Sequence, residues 1–274
     1  MPKVKNIAAA LPEAEQISAA FLAQLWQSGD TDLIVVLGPT ASGKTRYAVR
    51  LAHELRSLLA GACSGVEIIS ADSRQVYRRM DIGTGKDLCE YDDIPYHLID
   101  IAEPGEQYNV YRFAEDFRRV WSEIISRGAL PVLCGGTGMY INAVTSGYDF
   151  TTRTPLSEQR ERSGVEGLPR APYFIGTLVD RDTRNRRIDA RLDARLEEGM
   201  IDEIRGLIDS GVSTEALLGY GLEYRYVTLY LLGELSREEM REKLATAIHQ
   251  FAKRQMTWFR GMERSGITIH WTEV

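Results

Sequence analysis

The chain has 274 residues, of which 44% are hydrophobic and 26% charged, with a formal net charge of −6. This length and composition predict one large or two small domains with a buried core, and the net negative charge argues against indiscriminate coating of nucleic acid. No apolar stretch reaches the roughly 18 to 20 residues of a membrane helix, and the N-terminus lacks a basic start followed by an apolar core. We therefore expect a soluble, cytoplasmic protein with no membrane association.

Cysteine and histidine are sparse and lack metal-ligand spacing. The three cysteines, at positions 63, 89 and 134, form no C-x-x-C pair. This spacing predicts neither a disulfide framework nor a zinc site. The four histidines are equally dispersed, which favours packing or surface roles.

The first predicted element is a helix within residues 1–30, where Phe21, Leu22, Leu25 and Trp26 fall near helical spacing. We expect this N-terminal helical extension to pack outside the core. The apolar run Leu33–Leu37 follows and predicts a buried strand.

The segment after that strand fits the pattern G-x-x-x-x-G-K-[ST] and leads into a helix-like stretch at 46–56. Its residues are Gly38, Pro39, Thr40, Ala41, Ser42, Gly43, Lys44 and Thr45. In such a loop the backbone N–H groups converge on phosphate oxygens, the lysine adds a positive charge, and the threonine hydroxyl can ligate Mg²⁺. The alternative is a chance match in a glycine-rich turn, but the strand and helix around it favour a phosphate site.

Strand-like and helix-like segments then alternate along the chain, as is typical of a parallel α/β sheet. Further strands are predicted at 66–69, 96–99, 130–133, 173–179 and, at the end, 268–271. Helices are predicted at 110–127, 184–210, 222–232 and 237–261. We predict a P-loop NTPase-like parallel sheet flanked by helices, divided into an extension (1–30), a P-loop core (31–147), a shortened insertion (148–172) and a return to the core with C-terminal helices (173–274).

Polar residues follow two of the predicted strands. The second strand leads into Asp72, Ser73, Arg74 and Gln75, and the fourth leads into a glycine-rich turn that contains Thr137. Because ligands bind at the carboxyl ends of the strands in such sheets, these residues are expected beside the phosphate loop. Asp72 is a candidate general base, although aspartate is also a favoured helix N-cap, and a tight turn alone would explain the glycines.

Arginine and lysine are concentrated in two late segments. The first contains Arg184, Arg186, Arg187, Arg191 and Arg195, and the second contains Lys253, Arg254, Arg260 and Arg264. Either cluster is explained by a solvated helix face with acidic neighbours or by contact with nucleic acid.

These residues alone favour a P-loop kinase acting on a small molecule, but a set of motifs goes further. The order and spacing of these motifs resemble those of the tRNA dimethylallyltransferases, also called tRNA isopentenyltransferases, over most of the chain. The matching motifs are GPTASGKT, SADSRQVYRRMDIGTGK from residue 70, PYHLIDI from residue 95, GGTGMYI from residue 135 and FAKRQMTWFR from residue 251.

The resemblance implies that the phosphate loop binds the diphosphate of dimethylallyl diphosphate and that the prenyl group passes to N6 of adenosine 37 in the anticodon loop of tRNA. It also implies that Asp72 accepts the amine proton, that Thr137 positions the reacting groups, and that Arg160 helps to hold the diphosphate. Residues 72–75 match the family segment that contacts tRNA near the target base. Mg²⁺ is the implied cofactor, and we expect a monomer.

Two departures from the family pattern concern tRNA binding. Residues 150–172 are too short for the usual helical insertion that clasps the anticodon arm, and Gly221 replaces the basic residue that usually follows Gly-Tyr. An adenylate isopentenyltransferase, which prenylates free AMP, ADP or ATP and needs no such clasp, is therefore the close alternative. A noncatalytic nucleotide switch is the third, although it would have little use for Asp72 and Thr137 together.

Overall fold

A parallel sheet forms the centre of the protein in the computed structural model, which describes residues 11–146 and 168–274. Within these ranges the sheet has six strands, in the order β3-β2-β4-β1-β5-β6, and each neighbouring pair is parallel. The strands are β1 (Leu33–Leu37), β2 (Val66–Ser70), β3 (Tyr96–His97), β4 (Leu130–Gly135), β5 (Pro172–Leu178) and β6 (Ile269–Glu273). The predicted fold class is confirmed.

Helices cover both faces of the sheet. They are α1 (Ala19–Ser28), α2 (Lys44–Leu58), α3 (Val110–Ser126), α4 (Gly138–Thr145), α5 (Arg181–Glu198), α6 (Met200–Asp209), α7 (Thr214–Gly219), α8 (Leu222–Leu231) and α9 (Arg237–Arg264). Local sequence fixes several of their starts. The side chain of Asn109 accepts backbone hydrogen bonds at the start of α3, and Ser236 and Glu239 form a reciprocal capping box at the start of α9.

The central strand β1 shows why the sheet is buried on both faces. Leu33, Val35 and Leu37 pack into a cluster with α3, α4 and the C-terminal helices, whereas Ile34 and Val36 pack into a cluster with α1 and α2. All five side chains are fully buried. Successive strand residues point to opposite faces, so a continuous apolar run is the sequence that a doubly covered strand needs.

The N-terminal extension packs on α2 through the helix α1. Leu22 in α1 is fully buried in the cluster that also holds Leu51 and Leu55 of α2. Helix α1 therefore covers one of the two core layers and also contributes buried side chains to it. Within the described ranges, no helix is both long and apolar enough to cross a bilayer.

Backbone conformation explains where the elements differ from the predicted ones. The helix predicted over 184–210 is two helices, α5 and α6, because Gly199 lies between them with φ 105°. Strand β3 is shorter than predicted, because Leu98 and Asp100 have φ 62° and 56°, outside the extended region. The short helix α7 was not predicted.

Candidate active site

The phosphate loop lies between the end of β1 and the start of α2 and is held closely against β5. Ser42 is fully buried, and its Oγ lies 2.6 Å from Thr177 Oγ1 on β5. A Cβ at Gly38 would lie 2.1 Å from the same Thr177 oxygen, so a side chain does not fit at this position. Gly43 has φ 82° and directly precedes α2. The loop backbone therefore meets a helix N-terminus, an arrangement that favours anions.

Lys44 and Thr45 begin α2 and face a cavity of about 370 Å³ at the carboxyl edge of the sheet. Burial lowers the pKa of Lys44, and the neighbouring Asp72 carboxylate opposes this shift. A partly desolvated ammonium interacts more strongly with an anion than one in open water. The Thr45 hydroxyl is a hard oxygen ligand of the type that Mg²⁺ accepts alongside phosphate oxygens and water.

Asp72 and Thr137 lie on neighbouring loops, as the order of β2 and β4 in the sheet requires. Asp72 Oδ1 accepts a hydrogen bond from the backbone N of Arg74 at 2.8 Å, which holds the carboxylate toward the cavity. Thr137 Oγ1 accepts from the backbone N of Ser73 at 3.1 Å. The threonine thus fixes the loop that carries Asp72, and both side chains line the same cavity as Lys44.

Gln255 of α9 joins the phosphate loop to the glycine-rich turn after β4. Its side-chain Oε1 accepts from the backbone N of Thr40 at 2.8 Å, and its Nε2 donates to the backbone O of Gly136 at 2.9 Å. The side chain is buried, and a Cβ at Gly136 would lie 2.5 Å from Gln255 Nε2. Both halves of the amide are therefore used to hold the two loops in register.

Two arginines on consecutive turns of α5, Arg191 and Arg195, face the cavity, and sequence reasoning did not assign them to it. Arg191 pairs with Asp87 and donates to the backbone O of Gly85 at 3.4 Å. Arg195 is largely buried and lies 4.0 Å from the carboxylate of Glu223. Burial lowers the pKa of Arg195, and the nearby Arg191 lowers it further. Their i, i+4 spacing could have indicated that they act together, because it places both guanidinium groups on one face of a helix.

Another wall of the cavity is a glycine-containing segment, 81–86, fixed by Glu203 and by the buried Lys86. Glu203 accepts hydrogen bonds from three successive backbone N–H groups, those of Asp81, Ile82 and Gly83, at 2.7 to 3.1 Å. Lys86 is almost fully buried and donates to Asp81 and to the backbone O of Tyr77. This segment is therefore a rigid wall of the cavity.

The remaining predicted site residues are distributed as follows. Ser73 and Arg74 line the cavity, and Arg74 also donates to the backbone O of Gly219 at 3.4 Å. Gln75 lines it too, but its side chain is buried between Ser70 and Gly85. Arg160 lies outside the described residues.

Charged and apolar side chains line the same cavity. Lys44, Arg191 and Arg195 supply positive charge, and Ile248 and Phe251 of α9 add apolar surface. Cys134 also lines the cavity, but burial raises its pKa to about 12, so the thiol stays protonated. Burial likewise raises the pKa of the Tyr91 phenol. The site is therefore equipped to bind an anion and to take up a proton at Asp72, rather than to attack through a thiolate.

Comparisons with known proteins show which sequences and which fold this chain is similar to. The sequence model of the IPP transferase family matches residues 75–171 and 150–262. The tRNA dimethylallyltransferase 1 of Azobacteroides pseudotrichonymphae is 46% identical over 294 residues, covering 89% of this chain and 93% of that protein. The protein of the same name from Parabacteroides distasonis is 46% identical over 292 residues, covering 88% and 92%.

A solved structure is similar in fold across the same length. The full-length tRNA isopentenylpyrophosphate transferase of Bacillus halodurans has a TM-score of 0.73 at 31% identity, covering 88% of this chain and 89% of that one. The family match spans more than half of the chain, and the two relatives are nearly half identical to it. The chain belongs to the IPP transferase family.

Proposed function

We propose that this protein transfers a dimethylallyl group from dimethylallyl diphosphate to the exocyclic N6 amine of an adenine in tRNA, with release of diphosphate. The single observation that carries the proposal is one cavity in which cations, among them Lys44, Arg191 and Arg195, share the space with the Asp72 carboxylate. The related proteins named above are tRNA dimethylallyltransferases and a tRNA isopentenylpyrophosphate transferase, which favours this reaction.

The cations of the cavity suit the diphosphate of the donor. Breaking the allylic C–O bond leaves its electron pair, and hence negative charge, on the diphosphate. The loop N–H groups, Lys44 and the arginines of α5 surround the position where this charge grows, which lowers the barrier electrostatically. Thr45 would hold Mg²⁺, which would neutralise further charge on the departing diphosphate. From the described residues, Arg191 and Arg195 are the arginines that we assign to the diphosphate; the assignment of Arg160 stays a prediction from the resemblance.

Asp72 suits the acceptor. A new C–N bond forms between the adenine nitrogen and the allylic carbon as the C–O bond breaks, and the proton of the amine passes to the Asp72 carboxylate. Thr137 acts on this step through Ser73, because their hydrogen bond sets the position of the loop that carries Asp72. Within segment 72–75, Ser73 and Arg74 are available to the tRNA, whereas Gln75 supports the wall of the cavity.

The finer assignments follow from the same site. We propose adenosine 37 in the anticodon loop as the target, because loop nucleotides can be splayed out and the amine must leave the base stack to reach Asp72. Unstacking costs a few kcal/mol that contacts with the rest of the loop must offset. We also propose that the enzyme is cytoplasmic and monomeric and that it uses Mg²⁺.

The test is to incubate the purified protein with labelled dimethylallyl diphosphate and Mg²⁺ and to offer undermodified tRNA, AMP and ATP as acceptors in parallel. We expect label in the tRNA, at the N6 amine by nucleoside analysis, and none with Lys44→Ala. Label in AMP or ATP would instead identify an adenylate isopentenyltransferase. Movement of the γ-phosphate from labelled ATP to a product would identify a kinase and would overturn the proposal.

A further inference from the structure

A second cavity, of about 410 Å³, lies between α4 and α9 next to the one described above. Arg254 lines both cavities, so they are neighbours along α9. The second cavity is lined by Asn142, Arg254, Thr257, Trp258, Gly261, Met262 and Ser265. Apart from Arg254, none of these residues lines the donor site, so that site does not account for the second cavity.

Trp258 gives this cavity a flat aromatic wall. The indole lies directly on the start of α4, since a Cβ at Gly138 would be 2.2 Å from Trp258 Cδ1. Despite this contact, 44% of Trp258 is exposed. Gly138 directly follows Thr137, so the indole lies beside the loop that positions Asp72. A large exposed aromatic, held rigidly by a glycine at the edge of a site, is suited to stacking.

Polar groups accompany the aromatic surface. Asn142 Oδ1 is buried in the wall of the cavity and has no hydrogen-bond partner among the described residues. Arg254 is exposed, and its Cζ lies 5.9 Å from the centre of the Phe251 ring. It therefore links Phe251 in the first cavity to the second cavity. An amide, an aromatic face and an arginine together match the edge, the π-face and the phosphate of a nucleotide.

We propose that the α4–α9 cavity binds a second base of the anticodon loop, a nucleotide next to the target adenine, stacked on Trp258. This inference rests on the proposed function. Arg254 lies between the two bases, where the phosphate that joins adjacent nucleotides requires a cation. A small rotation of the Asn142 side chain would bring its buried, unpartnered amide oxygen to the edge of the stacked base. Holding a neighbouring base in this way offsets part of the cost of unstacking the target.

The test uses the full chain and an anticodon stem-loop RNA in which 2-aminopurine replaces the base on one side or the other of the target adenine. Stacking on an aromatic ring changes the fluorescence of this probe. We expect a change at one of the two positions on binding, lost in Trp258→Leu and retained in Trp258→Phe. Phe21→Leu is the matched control, because Phe21 is similarly exposed, at 46%, and lines neither cavity.

Steady-state kinetics give the second readout. We expect Trp258→Leu to raise the KM for the stem-loop by about 5- to 100-fold, and Asn142→Ala by a smaller factor, with KM for dimethylallyl diphosphate and thermal midpoint close to wild type. A merely structural role would move all three quantities. An unchanged KM for RNA in Trp258→Leu, or a Trp258-dependent signal with free AMP in place of RNA, would overturn the proposal. Absence of prenyl transfer to RNA by the wild type would overturn the proposed function instead.

Discussion

Lys44 and Asp72 bring opposite charges into one cavity, and their separate tasks make them separable by mutation. In the proposed reaction Lys44 meets the diphosphate before, during and after bond cleavage, whereas Asp72 is needed when the amine loses its proton. An interaction made equally in the ground and transition states affects binding, and one made only in the transition state affects turnover. Loss of Lys44 is therefore expected to weaken donor binding and turnover together, whereas loss of Asp72 should lower turnover alone.

The variant Asp72→Asn should reduce kcat for prenyl transfer by roughly 10²- to 10⁴-fold while leaving the affinity for dimethylallyl diphosphate nearly unchanged. The amide keeps the shape of the side chain and its hydrogen bond from the Arg74 N–H but cannot accept the amine proton. Single-turnover transfer and equilibrium donor binding measure the two effects. Wild-type turnover in this variant would remove Asp72 as the base.

Lys44 should make donor use sensitive to alkaline pH. Burial lowers the pKa of Lys44, so its ammonium is lost at a lower pH than that of an ordinary lysine, and binding of an anion weakens above that point. We expect kcat/KM for the donor to fall as pH rises toward about 10, the ordinary lysine pKa. In Lys44→Arg the overall value should be lower but the alkaline fall absent, because a guanidinium stays charged. An identical fall in both proteins would assign it to another group.

At the scale of elements, the long helix α9 reaches from the C-terminal half of the chain back to the phosphate loop. Gln255 joins two loops that belong to different strands, and Ile248 and Phe251 line the cavity. The site depends on this helix although none of the phosphate-loop residues belongs to it.

Gln255→Leu should destabilise the protein by about 1–3 kcal/mol, because the buried N–H of Thr40 and C=O of Gly136 each lose a partner. The KM for the donor should rise as well, because the phosphate loop loses its hydrogen bond to α9. Urea denaturation and donor titration measure the two quantities. The control is Gln250→Leu, the same substitution at an exposed position of the same helix; equal losses in both variants would contradict this role for Gln255.

Glu203 stabilises the wall of the cavity that is formed by residues 81–86. Glu203→Gln should lower the free energy of unfolding by about 1–3 kcal/mol, because one of the two oxygens that accept from the three backbone N–H groups and the Tyr224 hydroxyl becomes an NH2 group, which cannot accept. Urea denaturation should show no such loss for Glu234→Gln, which changes an exposed glutamate. A loss of the same size in both variants would mean that the 81–83 contacts contribute little.

At the scale of the whole molecule, a net charge of −6 coexists with cations gathered at one cavity. Long-range attraction to RNA is therefore expected to be weak, and local contacts to phosphates have to provide affinity.

Binding of an anticodon stem-loop should weaken with salt in proportion to those local contacts. Arg74→Gln should reduce the slope of log affinity against log salt concentration by about 0.7, the amount for one phosphate contact to a single strand. Arg50→Gln, on α2 outside both cavities, should leave the slope unchanged. Equal slopes for wild type and Arg74→Gln would place Arg74 away from the RNA backbone.

Structural features that depend only on residues close together in the chain could be predicted from the sequence. The apolar run of β1, the glycine and lysine spacing of the phosphate loop, and the polar turns that hold Asp72 and Thr137 are local patterns. Because parallel strands end at a common edge, these patterns also predicted that the loop, the aspartate and the threonine share a site. The break at Gly199 and the short β3 were missed, because tertiary context decides when a positive φ ends an element.

The side chains that complete the site from far along the chain could be identified only from the packing of the helices. Arg191, Arg195 and Gln255 lie more than 100 positions after the phosphate loop, and their sequence patterns are equally compatible with a solvated helix face. Which face of α5 or α9 turns toward the cavity depends on how these helices pack on the sheet and on each other. Close packing over the whole core sets that orientation, and no local periodicity encodes it.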